Sequence, residues 1–287
     1  MLAVMLVSIA LGVFLASIAI ADLVEKAQSD WADSSLYIVG CTKRADEEQV
    51  PKLTENIQLL LSTLNDPSKQ GTVILYGDKP SRDLYLSLNE SAYIYLPEKF
   101  NHKSRTMRIA NCRNALLKEV NQMVSFRKEQ PSSVFLIVMD LDGVNVKEYN
   151  MTVFKAATNL HHEWASISFN RPKYYDFWAL RTERINYNIF NSIDPFKAIA
   201  VVRNDIKIEL RNIINPLGLY PVISAFNGLA LYRFQFTIGC TYDGFESRRF
   251  FAVEECEHVP FHKCMIAKNN ATIMIYKDSL IYNYAIE

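Results

Sequence analysis

The sequence predicts an α/β fold, a mixed and mostly parallel central sheet flanked by helices. Two observations carry this. Strand-type and helix-type periodicities alternate through the first half of the chain, and short apolar runs bounded by turn residues recur through the second. A third observation sets the scale: 49% of the 287 residues are hydrophobic and 12% are aromatic, enough for a sizeable core in one large domain.

Taken in order, Leu36-Tyr-Ile-Val-Gly40 reads as a short buried strand. Glu48 to Leu64 places Val50, Leu53, Ile57, Leu60, Leu61 and Leu64 at spacings of three and four, the mark of an amphipathic helix, and Asn65-Asp-Pro67 ends it. Val73–Tyr76 and Tyr93–Leu96 are further strands. A helix from about Arg105 to Phe126 precedes the apolar run Val134–Met139. Strand and helix in alternation imply parallel strands with helices on the sheet faces. Ligands in such sheets bind at the carboxyl edge. Beyond a soft boundary near Asn150, Trp164–Phe169, Ala198–Val202, Val222–Phe226, Leu229–Tyr232 and Ile273–Tyr276 read as strands, and Lys207–Ile214 as a short helix.

Lys+Arg and Asp+Glu each total 31, so the net charge is zero, which argues against a general nucleic-acid binder. Residues 1–21 are uninterruptedly apolar, and about 20 such residues can cross a bilayer. They read as a signal anchor contacting the membrane or as a cleaved signal peptide, followed by a short stem over 22–34 and a globular region over 35–287. Either reading sends the chain into the secretory pathway. Three sequons, at Asn89, Asn150 and Asn270, agree with that address. Five cysteines permit two disulfides and one leftover thiol, with the connectivity open.

The run 134–139 ends in Asp140-Leu-Asp142, two carboxylates at the expected functional edge. On an extended chain residues i and i+2 point the same way, about 6.5–7 Å apart. A hard divalent cation bridges such a pair and completes its shell with water and phosphate oxygens. Charge building on a departing diphosphate is neutralised in this way. A plain solvated turn is the bland alternative. A sharper rival is the haloacid-dehalogenase-type phosphatase motif, in which Asp140 would be a nucleophile; the acidic pair that this family needs downstream is missing after Asn145.

In the preceding helix, Ile109, Cys112, Leu116, Val120 and Met123 form one apolar stripe with Arg108 and Arg113 on its margins. Either arginine snorkels along the core or its guanidinium fork reaches a diphosphate. Asn114 is either polar filler or a group that hydrogen-bonds nucleotide or sugar. Tyr174-Tyr-Asp-Phe-Trp-Ala-Leu-Arg181 sets aromatics around Asp176, and Trp178 suits either the core or a sugar face. Asn227-Gly228 is a hairpin signal between two apolar runs. Glu254, Glu255, Glu257, His258 and His262 crowd into nine residues, while His161-His162-Glu163 reads as a solvated helix or loop element.

In their order along roughly residues 105–265, these segments resemble the fungal capsule-associated α-1,3-mannosyltransferases and their wider relatives with the Rossmann-like GT-A fold. The resemblance implies a glycosyltransferase with a nucleotide-binding half over 35–150 and an acceptor half over 151–287. It would move a sugar from a nucleotide-diphosphate sugar to a glycan or glycoprotein in the Golgi or ER lumen. It implies Mn²⁺ (or Mg²⁺) on Asp140 and Asp142 with His262, or second His258, as a third ligand. It further implies Arg108, Arg113 and Asn114 on the nucleotide or diphosphate. Asp176, Trp178, Asn227, Gly228 and Glu257 would lie on the sugar side, with Glu257 facing the acceptor hydroxyl. The spelling of the Asp-x-Asp and the spacing of the C-terminal histidine depart from the fungal pattern.

Overall fold

The computed structural model describes residues 25–88, 93–98, 102–171, 174, 176–185, 200, 215–248 and 251–282. The apolar segment 1–21, the sequon at Asn89, most of the strand expected over 198–202 and the helix expected over 207–214 lie outside these residues. Among the described residues no helix is long and apolar enough to cross a membrane.

Eight strands form one sheet. They are β1 (Ser35–Thr42), β2 (Gly71–Gly77), β3 (Tyr93–Pro97), β4 (Val134–Asp140), β5 (Ser166–Asn170), β6 (Leu219–Val222), β7 (Leu229–Arg233) and β10 (Ile273–Ser279). The spatial order is β3-β2-β1-β4-β7-β5-β10-β6. Six strands run one way, and β7 and β6 oppose them, since every pairing of these two is antiparallel. A separate hairpin joins β8 (Phe245–Arg248) to β9 (Phe251–Glu254).

The helices are α1 (Gln49–Leu61), α2 (Lys79–Leu88), α3 (Arg105–Arg127), α4 (Met151–Thr158) and α5 (His258–Asn269). One sheet face packs against α1, α2 and α4: Leu36, Ile38, Val73, Phe135 and Ile137 meet Leu53, Ile57, Tyr85 and Phe154. The other packs against α3 and α5, with Tyr37, Val39, Leu136 and Val138 against Leu116, Val120, Phe261 and Met265. Both faces being covered, β4 is apolar at every position from Val134 to Met139 and buried throughout. This is a three-layer α/β/α arrangement of Rossmann-like type.

The chain winds outward from β1 through β2 to β3, then α3 returns it across the opposite face so that β4 lies beside β1. Strand order therefore reverses between β1 and β4, and a crevice opens at their carboxyl ends. Cys41 is in register with Asp140, which fixes the two banks of that crevice. A disulfide from Cys41 to Cys112 ties the end of β1 to α3, another joins Cys240 to Cys264, and Cys256 is a buried free thiol.

One local expectation fails. Asn227-Gly228 does not join a hairpin: the strand expected over Val222–Phe226 is instead β6 at Leu219–Val222, which β5 and β10 separate from β7. Both turn residues do have positive φ, 55° and 88°. The local backbone preference is met, yet sheet pairing sends the flanking strands to different neighbours. The acidic Cys/His segment runs from the end of β9 at Glu254 into helix α5, which starts at His258.

Candidate functional site

The crevice is a cleft of about 400 Å³. Its walls are the ends of three strands, Cys41–Lys43 after β1, Tyr76 and Gly77 at β2, and Asp140–Asp142 at β4. Glu98 closes one side. One flank of α3, Arg105, Arg108, Ile109, Cys112 and Arg113, forms the roof. Gly77 permits the close approach of β2 to β1, since a side chain there would run into the Thr42 carbonyl. A side chain at Gly40 would likewise meet Leu141 and displace the Asp-Leu-Asp loop.

That loop is held by its neighbours. The Asp140 amide donates to the Gly228 carbonyl at 2.9 Å, and the Asn145 side chain donates to both the Asp140 and Gly228 carbonyls, at 2.7 and 2.8 Å. Arg171 clamps Asn145 from the other side, at 2.8 Å. Buried Asn56 donates to the carbonyls of Asn145 and Lys147. The Asp142 side chain caps the following turn through the Val144 amide at 3.1 Å while remaining exposed at the cleft. Gly228 and Asn227 therefore act on the backbone: Asn227 accepts from the Asp176 amide at 3.2 Å and donates to the Phe169 carbonyl at 2.9 Å.

Behind the loop sits Arg113, buried on α3. Its guanidinium pairs with Asp140 at 3.1 Å, also engages Glu257 and His258, and lies 4.5 Å from the Phe226 ring centre. Two carboxyl groups, Asp140 and Glu257, contact this guanidinium, and Asp142 and Asp176 are close enough to act on Asp140. Asp140 is pushed up to about 7, first by burial, then by Asp142, Asp176 and Glu257, against the opposing pull of Arg113. A quarter of its side chain remains open. Asp176 is pushed up to about 6 by burial and then by Glu257, and its carboxylate accepts from the Ala179 amide at 3.2 Å. An acidic centre in which one guanidinium is shared by Asp140 and Glu257 while Asp142 stays exposed is chemically suited to a divalent cation.

The structure thus brings Arg113, Asp140, Asp142, Asp176 and Glu257 together from four separate places in the sequence. Other expected site residues have different occupations. His262 is fully buried, with Nδ1 2.9 Å from the Ser224 hydroxyl and Nε2 3.0 Å from the Tyr232 hydroxyl. Both ring nitrogens are engaged, so neither offers a lone pair to a cation in this arrangement. His258 is similarly committed to Arg113 and Tyr232. Burial, and then Arg113, lowers both imidazoles far below the ordinary histidine range, His262 to about 3. Asn114 is pinned through its amide to both backbone groups of Tyr242, at 2.8 Å each, and does not line this cleft. Trp178 packs half-buried against the α3–α5 core. Arg108 lines the cleft but also donates to the His102 and Lys103 carbonyls, bracing the entry to α3.

Lys43 and Arg105 line the cleft and went unrecognised in the sequence. The switch point between β1 and β4 was the signal for Lys43. Arg105 lies one turn before Arg108 on α3 and could have been nominated by helical spacing.

Comparison of the sequence with protein-family models and with curated proteins finds no match, so the likeness to fungal mannosyltransferases has no support of that kind. Among solved structures, S. aureus TarS 1-349 aligns with a TM-score of 0.41, and its complex with UDP with a TM-score of 0.40. Identity is 13% in both, and each alignment covers 86% of this chain and 59% of the other. The chain therefore spans about three fifths of the length of the structures that it is similar to.

Proposed function

We propose that this protein is a glycosyltransferase that uses a nucleotide-diphosphate sugar and works on a glycan or glycoprotein acceptor in the secretory pathway. The observation that carries the reading is the opening of Asp140 and Asp142 onto a cleft at the topological switch point, with Asp176 and Glu257 close enough to act on the Asp140 carboxyl. The same cleft has Lys43, Arg105 and Arg108 on its other walls. Cations on one side and carboxylates on the other suit a diphosphate and a sugar bearing hydroxyls.

Mn²⁺ or Mg²⁺ fits the residues present. Asp142 is exposed, Asp140 is partly open, and burial and then like charges raise the Asp140 carboxyl, the second a penalty that a bound cation would relieve. Asp140 and Asp142 would hold the ion, which would supply charge neutralisation at the diphosphate. Arg105 and Arg108 would orient the phosphates. Arg113, ion-paired beneath Asp140, sets the position of that carboxylate and of Glu257. Asp176, with a pKa of about 6, would accept the proton of the acceptor hydroxyl. Two disulfides and the exposed sequon residue Asn270 accord with a luminal address.

The test is release of nucleoside diphosphate from a panel of sugar nucleotides, with and without Mn²⁺, by the full chain and by Asp142→Ala. The expected result is metal-dependent release from one donor class, lost in the variant. Release of inorganic phosphate from a simple phosphoester through Asp140, with no donor turnover, would replace this reading with a phosphatase.

A further inference from the structure

We propose a second metal site, for a transition-metal dication such as Zn²⁺, formed by Asp30, His161 and His162. One ligand atom from each lies within 4.8 Å of the others. These residues have no part in the carboxylate cluster. His161 and His162 precede β5 and Asp30 precedes β1, so they gather at the amino edge of the sheet, opposite the cleft.

The chemistry is specific in one respect. His161 is buried, and its Nδ1 lies 3.0 Å from the Thr158 carbonyl oxygen. A carbonyl only accepts, so Nδ1 carries the proton and Nε2 keeps its lone pair. Metal-binding imidazoles are commonly oriented in this way, by a carbonyl on the far nitrogen. The His162 ring lies against it, with centroids 3.8 Å apart, and His162 Nε2 is 3.9 Å from the Asp30 carboxylate.

Two imidazoles and one carboxylate match a zinc ligand set with a fourth position for water. Ligand atoms on one tetrahedral zinc lie about 3.3 Å apart. Rotation of the exposed side chains of Asp30 and His162 closes the remaining distance without disturbing buried His161. The ion would clip the helical segment 25–32 to the corner after α4. Trp31 already docks that segment, against Phe135 at 4.7 Å and Phe154 at 5.5 Å.

The experiment is calorimetric titration of the metal-stripped full chain with Zn²⁺ alone, alongside Asp30→Asn, His162→Ala and Asp142→Ala. The expected result is a Zn²⁺ binding event whose affinity is at least ten-fold weaker in Asp30→Asn and His162→Ala and unchanged in Asp142→Ala. Zn²⁺ should also raise the thermal midpoint of the wild type and Asp142→Ala but not of His162→Ala. The substituted groups of Asp30 and His162 are exposed, so these variants keep the fold. Absence of Zn²⁺ binding, equal binding by all the proteins, or loss in Asp142→Ala alone would overturn the site. Loss in Asp142→Ala alone would place the ion at the carboxylate pair; the other outcomes leave the transferase reading untouched, and Asp142→Ala tests that reading separately through donor turnover.

Discussion

The start of α5 serves two regions that differ in kind. Glu257 faces the acidic centre beside the cleft, while His258 and His262, one and five residues later, belong to a buried layer with Tyr232 and Ser224. Both regions are rich in groups that can bind a metal. Only the first leaves carboxylate surface open. In the second, every imidazole nitrogen has a protein partner. A residue type is thus a ligand only where folding leaves its lone pair uncommitted.

Arg113 is the link between the two regions, and its removal breaks the comparison most severely. Arg113→Ala leaves Asp140 and Glu257 without their buried partner, and loss of one member of such a pair costs about 3–5 kcal/mol. Urea unfolding should show that loss. Substitutions on the open side should separate function from stability. Asp142→Asn is expected to keep the thermal midpoint and to lower donor turnover by about 100-fold or more, on the scale of removing one transition-state charge contact. Asp176→Asn should lower turnover while leaving nucleotide affinity unchanged, which a comparison of kcat with KM would show.

The buried layer should announce itself through pH. A histidine whose pKa is near 3 in the folded state and about 6.5 unfolded takes up its proton only on unfolding across that interval. Unfolded chains then bind more protons, so stability rises with pH between 3 and 6.5 and is lost on acidification. Asp140 has the opposite sign: with its pKa raised to about 7, its contribution to stability falls as pH rises from about 4 to 7. His262→Gln should be less stable at pH 7 yet lose less on going to pH 5, and Asp140→Asn should change the slope the other way. Denaturant midpoints at the two pH values check both. The smallest expected effect is at the helix that carries the cations. Ser104 caps α3 by accepting from the Met107 amide at 3.2 Å, so Ser104→Ala should cost about 1 kcal/mol.

Much of this was legible in the sequence where local physics decides. The alternation of β1, α1, β2, β3, α3 and β4 follows from apolar period, and Asp140 ends a strand because a buried run stops there. Gly228 shows where legibility ends. Its positive φ is a local property, but its role of holding the Asp140 amide depends on β7 lying beside β4, a long-range pairing. The fate of His262 is of the same kind: its spacing from Glu257 is readable, whereas Ser224 and Tyr232 reach it only through the fold. The short helices α2 and α4 and the β8–β9 hairpin were not foreseen. The gathering of Asp176 and Glu257 near Asp140 required the whole sheet order.

The most direct test of the central claim is binding of UDP and of GDP to the full chain, titrated with and without Mn²⁺, for wild type, Asp142→Ala and His262→Gln. The account predicts binding of one nucleotide that depends on Mn²⁺, disappears in Asp142→Ala and persists in folded His262→Gln. Binding that ignores the loss of the Asp142 carboxylate, or the absence of any nucleotide binding at all, would contradict it.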